Sequence, residues 1–187
     1  MNIFILDTDP TTAARYHCDK HVVKMILESG QMMATAHWVL WLDELGKSRS
    51  DFRLVREMKE FLHNNVNPKN QPPWKLTHMN HPCTVWTRES ISNYNWHLRL
   101  MRGLLNEYTR RYKKKHSAEK VYEWLKENDP PNIWNGPITT YPICVPDDCK
   151  ISEDPVKCYR KYYKDYKSYM AKWKYSSQPK WWSNESR

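Results

Sequence analysis

The sequence contains little glycine and no long apolar stretch. Only 4 of its 187 residues are glycine, and no segment approaches the roughly 18 apolar residues of a membrane-spanning helix. The alternation of apolar and polar residues that is typical of β-sheets is nowhere sustained. No secretory leader pattern opens the chain, and aromatic residues, at 13%, are too frequent for an intrinsically disordered protein. The sequence therefore predicts a folded, mainly helical protein without a membrane-spanning segment.

The cysteines do not follow a metal-binding or disulfide pattern. There are five of them at irregular spacing, with no Cys-x-x-Cys pair. The nearest approach to such a pair is Cys144 and Cys149, which have four residues between them. An odd number of cysteines and the lack of a leader pattern favour a reduced, cytoplasmic protein. Zinc-type spacing is absent, and neither a metal nor a cofactor is predicted.

Charge is distributed unevenly along the chain. The sequence carries 30 Lys and Arg against 21 Asp and Glu, for a formal net charge of +9. Residues 1–80 account for +1 and residues 81–187 for +8. Concentrated positive charge is an electrostatic signature of proteins that bind polyanions. It favours a nucleic acid as partner, with an ordinary solvated basic face as the alternative.

Helix-start signals divide the chain into segments. The helix starts are marked by Asp-Pro at 9–10 and 154–155, by Ser48 and Ser117, and by Pro82. They predict five helices, over about 10–42 with a bend near Gly30, 49–64, 82–115, 117–128 and 154–175. An apolar arm or strand at 2–6 precedes them, and 65–80 and the proline-rich 129–153 are predicted loops. We expect a compact single-domain bundle of about four to five helices. In this prediction a helical core with its N-terminal arm spans 1–153, and a basic aromatic helix and tail, 154–187, packs on it.

A row of polar residues follows the first predicted helix. Spacings of four, three, four, three and four residues predict that they share one helical face, namely His17, His21, Lys24, Glu28, Gln31 and Thr35. The flanking positions are predicted to face the core, namely Val22, Ile26, Met33 and Ala36. A carboxylate, an amine and two imidazoles are the groups that acid–base and amine chemistry requires.

Two other interpretations of this row stay open. Lys24 and Glu28 are one helical turn apart, so they can simply form a surface ion pair on a solvated face. His17 and His21, at i and i+4, can instead share one metal ion with help from Asp19 or Glu28. The second interpretation lacks the glutamate that follows the first histidine in zinc-protease helices.

Three segments carry a resemblance to a known family. The run Asp-Lys-His-Val-Val-Lys at 19–24, followed by Glu28 and Gln31-Met32, resembles the first helix of the pyrimidine-dimer DNA glycosylases of the endonuclease V type. Asn-His-Pro at 80–82 with Trp86, and Asn-Glu-Tyr-Thr-Arg-Arg at 106–111, are similar to later segments of that family. Tyr-Arg-Lys-Tyr-Tyr at 159–163 is a looser match. The resemblance covers about 1–31 and 78–112; the helix at 49–64 and the proline-rich loop look like additions.

The resemblance implies a chemistry and a set of catalytic residues. Members of that family displace a damaged base by attack of an amine on C1′ of the sugar, and the resulting imine then permits β-elimination of the 3′ phosphate. By position, Glu28 matches the catalytic glutamate, while His21 and His81 match histidines near the site. The family supplies its amine from a small second residue after methionine removal. Here residue 2 is Asn, whose size disfavours that removal, so Met1 is our preferred amine and Lys24 the alternative.

The C-terminal segment 157–187 combines nine aromatic residues with nine Lys or Arg. Five of the aromatics have helical spacing and are predicted to face the core, namely Tyr159, Tyr162, Tyr166, Tyr169 and Trp173. The lysines are expected to contact phosphates, and the last tryptophans to stack on bases. The residues predicted to bind nucleic acid are His17, Lys20, Arg110, Arg111, Lys113, Lys114, Lys161, Lys164, Lys167, Lys172, Trp181 and Trp182.

Together these features predict a monomeric enzyme that acts on damaged or modified duplex DNA, without contact with a membrane. Three alternatives remain at this stage. One is a non-catalytic nucleic-acid-binding protein of the same fold. The second is an enzyme that acts on a modified base or a free nucleotide, and the third is metal-assisted hydrolysis.

Overall fold

The computed structural model describes residues 1–183 and is mainly helical, as predicted. The α-helices in this part of the chain are α1 Pro10–Tyr16, α2 Asp19–Glu44, α3 Val55–Asn65, α4 Pro82–Glu89, α5 Ile91–Tyr112, α6 Glu119–Glu127, α7 Pro155–Lys167 and α8 Lys180–Ser183. Short 3-10 helices lie at Arg49–Asp51, Pro68–Asn70 and Asp147–Cys149. The described residues contain no β-strand. The prediction of four to five helices is wrong, because these residues form eight α-helices.

The first predicted helix is two helices, α1 and α2, separated at His17 and Cys18 rather than bent at Gly30. No proline or glycine marks this break, which is fixed by contacts from distant residues. Arg111 of α5 donates to the backbone carbonyls of Arg15 and His17 and forms an ion pair with Asp19 at 3.0 Å. These donors satisfy carbonyl groups that the end of α1 leaves without intrahelical partners.

The third predicted helix also divides, into α4 and α5, at Ser90. The backbone of Ser90 is extended, and its hydroxyl accepts a hydrogen bond from the amide of Asn93 at 3.1 Å. The amide of Ile91 donates to the carbonyl of Trp134 in the proline-rich loop, at 2.9 Å. Capping by serine and a bond to the loop therefore start a new helix without a proline.

Two further predicted bounds are wrong. The signal at Ser48 and Asp51 caps a 3-10 turn, and α3 begins only at Val55, where Glu57 accepts a hydrogen bond from the amide of Leu54. The last long helix, α7, ends at Lys167 rather than near 175, and 168–179 form turns and loop before α8. The last four residues of the predicted C-terminal tail, 184–187, lie outside the described residues.

The main hydrophobic core collects residues from the N-terminal arm, α1, α2, α4, α5, α6 and α7. The arm from Ile3 to Leu6 is buried without forming a strand. Gly103 on α5 permits a close crossing with α1, because a Cβ there would lie 2.7 Å from the Cβ of Ala14. A second apolar cluster joins the end of α2 to α3 and the loop near Leu76. No helix within 1–183 has the length and apolar character needed to cross a membrane.

Candidate active site and basic surface

The predicted catalytic carboxylate, Glu28, lies on α2 with its side chain only 12% exposed. Its Oε2 accepts a hydrogen bond of 2.9 Å from the backbone N–H of Asn2 and lies 3.9 Å from the α-amine of Met1. Its Oε1 lies 3.2 Å from Nζ of Lys24, one turn earlier on the helix. Both candidate amines therefore contact the same carboxylate, one at each oxygen.

The N-terminal arm is held firmly over α2. Its apolar residues are buried in the core, and the side chain of Asn2 forms hydrogen bonds that hold the start of the arm in place. The side-chain amide of Asn2 donates to the carbonyl of Cys144 at 2.8 Å, and its Oδ1 accepts from the amide of Phe4 at 3.0 Å. Phe4 has a φ of 42°, a left-handed conformation that non-glycine residues rarely adopt. These contacts give the α-amine of Met1 a defined position.

His81 closes another side of the same site. It precedes α4, and its Nδ1 accepts a hydrogen bond from the amide of Cys83 at 3.2 Å. Burial lowers the pKa of His81, the positive N-terminal amine lowers it further, and the Glu28 carboxylate opposes both effects. The ring therefore lies near both the N-terminal amine and the Glu28 carboxylate. Met1, Lys24 and His81 thus all lie near the Glu28 carboxylate. That these groups are catalytic stays a prediction.

His21 and His17 lie in the core. Nδ1 of His21 is 2.5 Å from the hydroxyl of Tyr163, and its ring packs on Phe4 at 4.5 Å between centroids. His21 is seven residues before Glu28, about 10 Å along the helix axis. Burial lowers the pKa of His21 to about 2 and that of His17 to about 4, so both rings are neutral at pH 7.

The alternative of a metal shared by His17 and His21 does not fit this geometry. In residues 1–183 no carboxylate forms a cluster of ligands with these two rings: Asp19 pairs with Arg111 at 3.0 Å instead, and Glu28 with Lys24 at 3.2 Å. The predicted contact of His17 with nucleic acid is also wrong, because its side chain is fully buried.

A pair of cysteine thiols was missed by the sequence analysis and adjoins this site. Sγ of Cys83 lies 3.6 Å from Sγ of Cys144 and 4.0 Å from Oδ1 of Asn2. The thiol of Cys83 donates to Cys144, which lowers the pKa of Cys144 to about 7 and raises that of Cys83. The two cysteines are 61 residues apart, so no spacing rule could have paired them.

The predicted nucleic-acid contacts divide into surface and buried groups. Arg111 is wrongly assigned to the surface: its guanidinium has no exposed area and bonds to Asp19, Glu107 and two carbonyls. Trp181 and Trp182 are partly buried, because they pack against the main core. The ring centroid of Trp182 lies 4.8 Å from that of Trp173. The exposed members of the predicted set are Lys20, Arg110, Lys113, Lys114 and Lys172.

The predicted aromatic stripe is partly wrong. Tyr159 and Trp173 are buried as expected, but Tyr166 and Tyr169 are exposed, by 42% and 80%. Tyr163, which was not placed on the stripe, is fully buried beside His21. Within α7 the buried stripe follows Val156, Tyr159 and Tyr163, at spacings of three and four residues, and this leaves Tyr166 on the solvent side. Tyr169 lies beyond the end of the helix at Lys167, where helical spacing no longer applies.

Basic residues from distant segments meet beside the start of α2. The carbonyl of Lys172 accepts from the amide of Asp19 at 2.8 Å, and the amide of Lys174 donates to the Asp19 carboxylate at 2.7 Å. Arg110 on α5 donates to the carbonyl of Tyr175 at 3.4 Å. We refer to the following residues as the basic surface: Lys20, Lys24, Arg110, Lys167, Lys172 and Lys174.

A wide cleft of about 640 Å³ lies along α7. It is lined by Ile151, Lys157, Arg160, Lys161, Lys164, Asp165 and Trp181. Lys161 pairs with Asp165 at 2.5 Å, and the guanidinium of Arg160 lies 5.3 Å from the ring centre of Trp181. The cleft therefore offers both cations and an aromatic face, although Asp165 neutralises part of its charge.

Comparisons with known protein families, with curated proteins and with solved structures find no match to this chain.

Proposed function

We propose that this protein is a DNA-binding glycosylase with abasic-site lyase activity, which removes a damaged or modified pyrimidine through an amine–imine mechanism assisted by Glu28. The observation that carries the proposal is the position of the Met1 α-amine, 3.9 Å from a largely buried carboxylate. A nucleophilic amine and an acid–base group in contact are the minimum that this chemistry requires. A reduced, cytoplasmic setting stays a prediction.

Met1 is the better nucleophile of the two amines. The side chain of Lys24 is 67% exposed, so its amine lies in water rather than in an enclosed site. α-Amino groups as a class lose their proton at much lower pH than lysine side chains do. The Met1 amine is also fixed by the buried arm, whereas Lys24 has a long flexible side chain.

In the first step the amine nitrogen bonds to C1′ with its lone pair. The bond between C1′ and the base breaks, and the base leaves with that electron pair. The proton that the amine loses passes through Glu28 to the departing base, and the carboxylate stabilises positive charge that develops on the sugar.

In the second step the sugar ring opens as its oxygen leaves C1′ and takes up a proton, which produces an imine between C1′ and the protein. A base then removes a proton from C2′, and the electrons of that bond expel the 3′ phosphate. His81, which lies against Met1 and holds a lowered pKa because of burial, is available as a neutral base for these transfers.

The basic surface supplies the binding energy for DNA. Lys20 and Lys24 occupy the same face of α2 as Glu28, and Lys172 is held beside the start of that helix. Phosphate contacts from such residues give affinity for any sequence and depend steeply on salt. Selection of a lesion requires that the target nucleotide leaves the base stack, which is easiest for damaged pairs.

The test is trapping with sodium borohydride, which reduces an imine to a stable covalent bond. The protein is mixed with duplexes that contain an abasic site or a pyrimidine dimer. We expect a protein–DNA adduct that forms only when borohydride is present. A duplex whose abasic aldehyde was reduced beforehand cannot form an imine, and it serves as the control.

An adduct on neither substrate would contradict the proposal. Salt-dependent binding without an adduct would instead favour a non-catalytic nucleic-acid-binding protein.

A further inference from the structure

Three metal-ligating side chains meet at the junction of α4 and the proline-rich loop. A ring nitrogen of His81 and the sulfurs of Cys83 and Cys144 all lie within 4.8 Å of one another. Of the ligating groups in residues 1–183, these form a cluster of three without any carboxylate. The sequence predicted no metal, because the cluster joins positions that are far apart in the chain.

The distances within the cluster match those of a tetrahedral zinc centre. Zinc–sulfur bonds of about 2.3 Å at a tetrahedral angle place two sulfur atoms about 3.8 Å apart. The observed separation between the sulfurs of Cys83 and Cys144 is 3.6 Å. The two thiols therefore need little movement to bind one ion together.

The surrounding structure holds these ligands in place before any metal binds. The amide of Cys144 donates to the hydroxyl of Tyr159 at 3.1 Å, and its carbonyl accepts from Asn2 at 2.8 Å. Cys83 lies in the first turn of α4 and is fully buried. His81 lies two residues before Cys83, whose backbone amide is 3.2 Å from its Nδ1.

The ligand types select a particular class of metal. Two thiolates and an imidazole suit zinc and other thiophilic ions, whereas magnesium and calcium require oxygen ligands. Three protein ligands leave one tetrahedral position for water, an arrangement that is typical of reactive rather than purely structural zinc sites.

We propose that His81, Cys83 and Cys144 bind one Zn²⁺ ion, with water in the fourth position. The two thiol protons are released to solvent when the thiolates bind the ion. The proposal does not depend on the glycosylase function, because metal binding is measured on the protein alone. Its consequence for the site is a second positive centre beside Met1. Because a zinc-bound imidazole cannot accept a proton, Glu28 rather than His81 is the base of the lyase step in the zinc-bound form.

Binding of Zn²⁺ and of Co²⁺ to the reduced full-length protein tests this proposal. We expect one equivalent of Zn²⁺ to bind and the Co²⁺ form to show a sulfur-to-cobalt charge-transfer band and tetrahedral visible bands. Cys144→Ser and His81→Ala should each weaken Zn²⁺ binding by at least about tenfold. Cys158→Ser is the matched control, since Cys158 is a free thiol whose sulfur donates to the carbonyl of Ser152, away from the cluster.

The cobalt spectrum of the unmodified protein requires no variant and therefore does not depend on whether the variants fold. Absence of a charge-transfer band, or binding of less than one equivalent, would overturn the proposal. Equal loss of affinity in Cys158→Ser and Cys144→Ser would also overturn it. The reduced protein could also fail to bind Zn²⁺ but lose two thiols on treatment with hydrogen peroxide. That result would overturn the proposal, because it would show that Cys83 and Cys144 form a disulfide rather than a metal site.

Discussion

The backbone N–H of Asn2 donates a 2.9 Å hydrogen bond to Oε2 of Glu28. This bond joins the N-terminal arm to the middle turns of α2, although the two residues are 26 positions apart. Because the bond fixes the arm, the α-amine of the preceding residue stays beside the carboxylate. The arrangement explains why an acidic side chain is buried here without an arginine partner.

The first prediction concerns Glu28. In Glu28→Gln the amide oxygen can still accept the hydrogen bond from Asn2, so the fold should be retained. Loss of proton transfer should lower turnover on abasic DNA by at least about 100-fold, with DNA affinity unchanged. Single-turnover kinetics and binding titrations measure the two effects.

The same substitution at Glu60 on α3 is the control, because that side chain is 64% exposed and pairs with Arg56 on its own helix. Turnover of Glu28→Gln close to that of Glu60→Gln would remove Glu28 from its assigned role.

The second prediction distinguishes the two amines. Lys24→Gln removes the exposed ammonium group but leaves the arm in place. If Met1 is the nucleophile, the borohydride adduct should form at a similar rate once the protein is saturated with DNA. Lys20→Gln, one turn earlier on the same face, controls for the loss of one positive charge. If Lys24→Gln loses the adduct while Lys20→Gln keeps it, Lys24 rather than Met1 is the nucleophile.

The third prediction concerns the basic surface. Lys172→Ala should weaken binding to all duplex sequences similarly and reduce the slope of log affinity against log salt by about 1. Lys59→Ala, at an exposed lysine of α3 outside the basic surface, should leave the slope unchanged. Titrations at several salt concentrations measure both slopes. Equal slopes for the two variants would place the DNA elsewhere on the molecule.

The fourth prediction concerns pH and the buried histidines. Burial lowers the pKa of His17 to about 4 and those of His37 and His97 to about 3. Their unfolded forms bind protons below about pH 6.5, whereas the folded forms stay neutral until the pH falls much further. As the pH falls from about 6.5 toward 4, the unfolded state binds protons that the folded state does not, so the free energy of unfolding decreases. Above about pH 6.5 these histidines are neutral in both states and no longer change it.

Each of these histidines should lower the free energy of unfolding by up to about 1.4 kcal/mol per pH unit in that range. Urea denaturation between about pH 7 and pH 5 measures the slope, at pH values where most carboxylates are still ionised in both states. A constant free energy of unfolding across this range would mean that the histidines are protonated in the folded protein.

The sequence was sufficient for the helical class and for part of the site. Helical spacing placed Glu28 and Lys24 on one face of α2, and the buried flank of Val22 and Ile26 is as expected. These features depend on local periodicity, which is read directly from neighbouring residues. The proximity of His81 to Met1 followed only from the resemblance to a known family.

The errors have a common physical origin in contacts between distant residues. The break between α1 and α2 depends on Arg111, which is 96 positions from Arg15. The same contacts bury the guanidinium of Arg111, which the sequence predicted to lie on the DNA-binding surface. The thiols of Cys83 and Cys144 meet because Tyr159 and Asn2 hold the proline-rich loop, which no local pattern records.

The most direct test of the account is to locate the amine that carries the DNA. The borohydride adduct on abasic DNA is digested with a protease and a nuclease, and the modified peptide is identified by mass spectrometry. The account predicts that the reduced sugar remnant is attached to the N-terminal α-amine, beside Glu28. An adduct on a lysine remote from Glu28, or no adduct at all, would contradict it.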